Sequence, residues 1–147
     1  AYVTAHQNGY DENMFLDLAT RTYVEETGGA NFIFIDKEGT LVIPKSDSIL
    51  PSVTRRSIAV VAKDILGMKV EERPVKLAEL SDFAECGVCG TAAVVCPVGK
   101  VVDHGREICF PSGMESMGPV IQKLYDTLTG IQMGKIEGPA GWVHKIM

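Results

Sequence analysis

The stretch Ser48–Leu66, SILPSVTRRSIAVVAKDIL, constrains the fold of this chain more than any other. Ile58, Val61, Ala62, Ile65 and Leu66 recur at i, i+3, i+4, i+7 and i+8, which places one apolar stripe on a helix over about 54–66. Pro51 and Ser52 precede it, where a loop hands over to a helix N-terminus, and Gly67 follows the last apolar position as a C′ residue. Arg55 and Arg56 do not suit a plain helix. They put two cations in the first turn, against the positive end of the helix dipole. With the free N–H groups of that turn they make a candidate anion site, and phosphate is the commonest such anion. The alternative is that both arginines reach solvent or pair with nearby acids, a placement that surface charges tolerate at small cost.

The residues around this helix predict mainly strands. Asn13–Asp17 reads as a short buried strand and Arg21–Glu25 as a second, with Leu18–Thr20 as a tight turn between them. Thr27–Ala30 breaks the pattern before Asn31–Asp36, a strongly β-prone run. Lys37–Thr40 is a hairpin turn leading to Leu41–Ile43, and strands joined this tightly should be antiparallel. Beyond the helix, Lys69–Val75 is strand-like and Lys76–Phe83 is a short helix candidate. Val88–Thr91 interrupts before a buried strand at Ala92–Val98, and Lys100–Gly105 turns into Glu107–Phe110. Pro119 opens a last helix over Met117–Gly130, with Val120, Leu124 and Leu128 at i, i+4 and i+8. The tail carries the only Trp, Trp142. The expectation is one α+β domain, a mainly antiparallel sheet with two or three helices.

At 147 residues the chain is the size of one ordinary domain, and 46% apolar against 22% charged residues is globular composition. A net charge of −5 argues against a non-specific nucleic-acid binder, which needs a basic face for phosphates. No apolar run approaches membrane-span length, and the N-terminus AYVTAHQNGYDEN lacks the basic and apolar regions of a secretory signal. Lacking an initiator Met and starting mid-pattern, the chain reads as a fragment.

Cys86-Gly-Val-Cys89 is a CxxC, a spacing that suits zinc or thiol redox chemistry. A structural zinc site wants a second close pair, whereas Cys96 and Cys109 are thirteen apart in strand-like runs, where free cysteines are usually buried. No metal site is expected, and reduced, cytoplasmic thiols are the default. His6, His104 and His144 fall in a polar start, a turn and the tail, and none is in a site-like setting. Three Gly/Thr-bearing loops punctuate the strands: Glu26–Asn31, Leu50–Thr54 and Gly87–Ala92. Glycine lets backbone approach a ligand, and threonine adds a hydroxyl. Glu25 and Glu26 lead directly into the first loop, and strand alternation turns them to opposite faces, so one can point inward.

Read together, YVEETGGANFIFI, ILPSVTRRSI, VEERPV, CGTAAVVCPV, GMESMGP and GIQMGKIEGPAGW resemble the fold-type IV, pyridoxal-phosphate-dependent aminotransferases, and most closely the branched-chain amino acid aminotransferases. The resemblance runs through most of the chain. It implies that Glu26 pairs with the protonated pyridine nitrogen, the role of a protein group that tunes this cofactor, and that Leu50 packs on the ring face. It makes Val53 and Thr54 the helix-start residues that hold the 5′-phosphate and Thr91 the second phosphate-binding threonine. Gly90, Thr91 and Ala92 form the turn whose N–H groups face the substrate carboxylate. Glu25 is set aside as the neighbour, and Arg55 adds to the phosphate field without necessarily touching it. The family's catalytic lysine has no counterpart: the first lysine, Lys37, lies beyond the glutamate loop in a predicted surface turn. Also unmatched are the N-terminal domain, its phosphate-binding arginine and much of the substrate pocket wall. Some relatives carry a redox CxxC after the GTA turn, where this chain has Ala93 and Cys96.

The implied protein is the C-terminal, large-domain portion (1–147) of a branched-chain aminotransferase. The intact enzyme would transaminate leucine, isoleucine and valine with 2-oxoglutarate as a cytoplasmic homodimer, using pyridoxal phosphate. The fragment alone is expected to be inactive for want of the lysine. A D-amino acid aminotransferase or aminodeoxychorismate lyase shares the same loops, and VEERPV and MESMGP favour the branched-chain group. A non-catalytic interaction module that kept the fold is the remaining alternative.

Overall fold

A computed structural model describes residues 1–111 and 116–146. A five-stranded sheet in the order β3-β2-β1-β4-β5 forms its centre. It comprises β1 (Asn31–Asp36), β2 (Leu41–Pro44), β3 (Val70–Arg73), β4 (Phe83–Gly90) and β5 (Val94–Pro97). A separate hairpin pairs β6 (Lys100–Asp103) with β7 (Arg106–Cys109). The helices are α1 (Tyr2–Gln7), α2 (Val53–Val60) and α3 (Pro119–Gln132), with a 3-10 helix at Leu77–Asp82. Helix α2 runs on as a π-helical turn, Val61–Ile65, and Gly67 just past it takes φ +65°, as the sequence anticipated for its C′ residue.

Both faces of the sheet are covered, which explains why Asn31–Asp36 is apolar without alternation. Ile33 and Ile35 join Leu41, Ile43 and Cys89 on one face, against Ile58, Val61 and Ala62 of the α2 arm and Ile121, Leu124, Leu128 and Ile131 of α3. Phe32 and Phe34 face the other way, with Val42 and Cys86, onto Val24, Val75, Leu80, Ile108 and Phe110. Phe34 stacks on Phe83 at 4.7 Å between ring centres. The stripe predicted for 54–66 packs on the sheet through Ile58, Val61, Ala62 and Leu66, whereas Ile65, at the end of the π-helical turn, is 39% exposed. Strand pairing is antiparallel except between β2 and β3, which run parallel. Their connection is the α2 arm, and a parallel neighbour needs such a crossover.

The segments 13–17 and 21–25 are not the two strands expected. They share a single bridge, Leu16 to Val24, and backbone bonds from Phe15 to Glu25 and Glu26. The Asp17 carboxylate is the reason: it accepts the N–H groups of Thr20, Thr22 and Tyr23 and the Thr20 hydroxyl, tying the chain into a turn instead of a ladder. Val88, Cys89 and Gly90 do not interrupt the sheet but complete β4, its longest strand. Gly87 serves there by lacking a side chain, since a Cβ would come within 3.1 Å of the Ile121 Cδ1. Strand β5 is shorter than the expected 92–98, because Ala92 and Ala93 form the exposed hairpin turn before it. The candidate helix at 76–83 is a 3-10 helix, and the polar start holds α1. The GMESMGP stretch overlaps residues 112–115, which lie outside the described residues.

The cysteines invert the expectation. Cys86 and Cys89 are buried and Cys96 and Cys109 exposed. The CxxC lies within β4, where residues three apart point to opposite faces, so Cys86 and Cys89 belong to opposite cores and share neither metal nor disulfide. Burial pushes the Cys86 thiol well up and the Cys89 thiol to about 12, the nearby Arg55 charge acting in the opposite sense on Cys89. Neither is a reactive thiolate.

Candidate functional site

The three loops singled out in the sequence meet at one end of the sheet. Glu26–Asn31, Leu50–Val53 and Cys89–Thr91 line a single open cleft of about 300 Å³. The local chemistry of each loop explains its shape. Thr27 is buried, its N–H donates to the Ala30 carbonyl, and its hydroxyl accepts the Ala30 N–H at 2.9 Å. The loop thereby closes on itself through Gly28 and Gly29 and holds Glu26 at its base.

The second loop is the entry to α2. Ser52 is the N-cap, and its hydroxyl accepts the Arg55 N–H at 3.2 Å. That bond uses the third N–H of the helix and leaves those of Val53 and Thr54 ahead of the first intrahelical bond, at the positive end of the dipole. Ser52 and Val53 line the cleft, and Leu50 and Val53 are 69% and 68% exposed at its rim. The third loop is the hairpin tip between β4 and β5, from Gly90 to Val94. Gly90 abuts the glutamate loop so closely that a Cβ there would sit 3.4 Å from the Gly29 carbonyl oxygen.

Glu26, Leu50, Val53, Gly90 and Thr91 thus line the cleft. Thr54, one residue inside α2, and Ala92, exposed on the hairpin turn, do not. Glu25 turns away, as alternation required, and accepts the Ser46 hydroxyl at 3.2 Å. Glu26 carries the other geometry: its Oε2 accepts the Asn31 side-chain amide at 2.9 Å and the Leu50 N–H at 3.2 Å. Arg55 is no part of the cleft. It donates through Nη2 to the Pro44 carbonyl at 3.0 Å and lies 3.6 Å from Glu72, so the anion-site reading rests on backbone N–H groups and not on this guanidinium. Arg56 is exposed. Thr27, Asn31, Ser52 and Cys89 also line the cleft; sequence reasoning placed them in the three loops but gave them no role toward a ligand. Ser52 was legible as a cap; Asn31 was hidden because its partners lie 5 and 19 residues away.

The arrangement suits a ligand that carries an anion at one end and a group that pairs with a carboxylate at another, with an apolar ledge between. The amino-transferase class IV family model matches residues 1–101. A branched-chain-amino-acid aminotransferase of Haemophilus influenzae is 47% identical over 93% of this chain and 40% of its own length. One from Helicobacter pylori is 41% identical over 99% of this chain and 42% of its own. The chain therefore spans about 40% of the length of these curated relatives. Among solved structures, the branched-chain amino acid aminotransferase of Escherichia coli superimposes with TM-score 0.80 at 31% identity, over 95% of this chain and 44% of that one. The PLP-form of the branched-chain amino acid aminotransferase from Thermobaculum terrenum gives 0.78 at 32% identity, over 91% and 41%. With the family model covering more than two thirds of its residues, this chain belongs to the class IV amino-transferases.

Proposed function

We propose that this chain is the cofactor-binding portion of a branched-chain amino acid aminotransferase. The intact enzyme moves an amino group between leucine, isoleucine or valine and 2-oxoglutarate, one substrate after the other in ping-pong order. The observation that carries the reading is the meeting of the Glu26, Leu50–Val53 and Gly90–Thr91 loops on one cleft. The donor set fits pyridoxal phosphate: an acid for the ring nitrogen, an apolar ledge for the ring and two helix-start N–H groups for the phosphate. When bound, the cofactor supplies an electron sink for the bond broken at the amino-acid α-carbon.

Each residue then has a task. Glu26 holds a proton on the ring nitrogen by pairing with it. Val53 and Thr54 bind phosphate oxygens through backbone N–H groups, with the Thr54 hydroxyl in reserve, and Thr91 adds a second hydroxyl from the hairpin tip. Leu50 packs on the ring and excludes water from it. The N–H groups of Gly90 and Thr91, which line the cleft, orient the substrate carboxylate, and Ala92 follows them on the exposed hairpin turn. Among the described residues no lysine lines the cleft, so the amine that anchors the cofactor and shuttles the α-proton is assigned to the part of the intact enzyme that this chain does not span. The exposed Leu50, Val53 and Phe15 fit a domain that works against the remainder of a larger enzyme, a cytoplasmic homodimer.

The test is an absorbance spectrum taken after adding pyridoxal phosphate to this chain and to the full-length protein, each then given leucine. The expected result is a protein-bound cofactor band in the full-length protein only, which changes with leucine and returns with 2-oxoglutarate. A full-length protein that forms no such band sinks the proposal. Turnover by the 147 residues alone would show that a lysine assigned here to the surface is catalytic.

A further inference from the structure

We infer that Asn31 is a positioning residue for Glu26: it holds the carboxylate against the Leu50 loop, so that one oxygen is committed to the protein and the other is left for the cleft. The inference rests on the function proposed above and goes beyond it by assigning a role to a cleft residue that acts through Glu26 and Leu50. The Asn31 residue is 4% exposed, so its amide has no solvent to turn to. Its Nδ2 donates to Glu26 Oε2 at 2.9 Å and lies 3.5 Å from the Leu50 carbonyl oxygen. The Leu50 N–H donates to the same Oε2 at 3.2 Å, so a triangle of side chain, carboxylate and loop backbone closes across 24 residues of sequence.

The backbone under this triangle is fixed from both sides. Asn31 opens β1, bridges to Glu26 and pairs with Cys89 of β4. Among the described residues nothing donates to Glu26 Oε1. Two donors on one oxygen therefore decide which oxygen a ring nitrogen meets, and in what direction, before any ligand arrives. The same triangle ties the residue proposed to pair with the ring nitrogen to the residue proposed to cover the ring face. Removing Asn31 Nδ2 should misalign both.

The experiment uses the full-length protein and measures the pyridoxal phosphate dissociation constant and the bound-cofactor spectrum, with the thermal midpoint of the cofactor-free protein alongside. Asn31→Asp is nearly isosteric and turns the donor into an acceptor facing Glu26 Oε2; Asn31→Ser shortens it. Either should weaken binding roughly tenfold or more, the range for a lost hydrogen bond to a charged group. In a Glu26→Gln background the Asn31→Asp change should cost less than about threefold, because the Gln amide now donates to the new carboxylate. A purely structural Asn31 would instead lower the thermal midpoint and weaken binding equally in both backgrounds, and that result overturns the inference, as does unchanged affinity in both variants. A parent protein that does not bind pyridoxal phosphate overturns the proposed function and this inference with it, so the two failures are distinguishable.

Discussion

Replacing Glu85 tests the packing that supports β4 and the hairpin tip beyond it. Glu85 is 4% exposed, and its two carboxylate oxygens accept the N–H groups of Val120 at 3.1 Å and Ile121 at 3.0 Å. These are the second and third residues of α3, whose N-cap, Gly118, has no side chain to serve them. The carboxylate thus replaces a local cap from another element and sits at the positive end of the α3 dipole. Gly118 is required by the same geometry, since a methyl there would overlap the Glu85 carboxyl group. Hydrogen bonds to a charged group contribute about 1.5–3 kcal/mol each. Glu85→Gln keeps one acceptor and turns an NH₂ toward the other backbone N–H, so it should cost about 2–4 kcal/mol, a large share of a stability of roughly 5–15 kcal/mol. Glu85→Leu leaves both N–H groups buried without an acceptor and should cost more. With a urea m-value of about 2 kcal/mol/M, the Gln variant should lower the unfolding midpoint by roughly 1–2 M, and the Leu variant further. Equilibrium unfolding followed by far-UV circular dichroism reads both. A Gln midpoint within about 0.3 M of the parent, or a Leu variant as stable as the Gln variant, would refute the argument that this carboxylate caps α3.

Three further outcomes follow from the geometry. Val53→Pro should leave stability within about 0.5 kcal/mol, because proline suits the first helical position and Ser52 is already extended. It removes one of the two N–H groups assigned to phosphate, so affinity for pyridoxal phosphate should drop roughly tenfold in a binding titration. In the native chain, Cys96 and Cys109 should react quickly with a thiol reagent, whereas Cys86 and Cys89 should react only in denaturant; four fast thiols would contradict the burial of the CxxC. The donors around Asp17 hold its carboxyl well below the ordinary value of 3.8. Its stabilisation is complete above that value and is lost as pH falls below it toward the lower folded one, so Asp17→Asn should flatten the loss of stability between about pH 4 and 2. An unchanged acid limb in the variant would show that the Asp17 turn contributes nothing there.

Much of this protein was determined by sequence-local physics. The helical period of Ile58 to Ala62, the hairpin at Lys37–Thr40 and the proline at the start of α3 all act through neighbours within a few residues, and each appears where its spacing put it. The Ser52 cap and the glycine loop after Glu26 belong to the same class, so most of the cleft could be named before its geometry was known. Tertiary structure decided what depends on partners distant in the chain. The apolar run of β4 does not say that Cys86 and Cys89 face opposite cores, because that requires knowing that the run is one strand between β1 and β5. The turn at Asp17 prevailed over strand alternation in residues 13–25 because a single carboxylate gathers four donors, a geometry that periodicity cannot register. Glu85, a charge in an apolar strand, and Asn31, a polar residue opening another, find their partners 36 and 19 residues away. A buried polar side chain must be satisfied somewhere, and only the fold decides where.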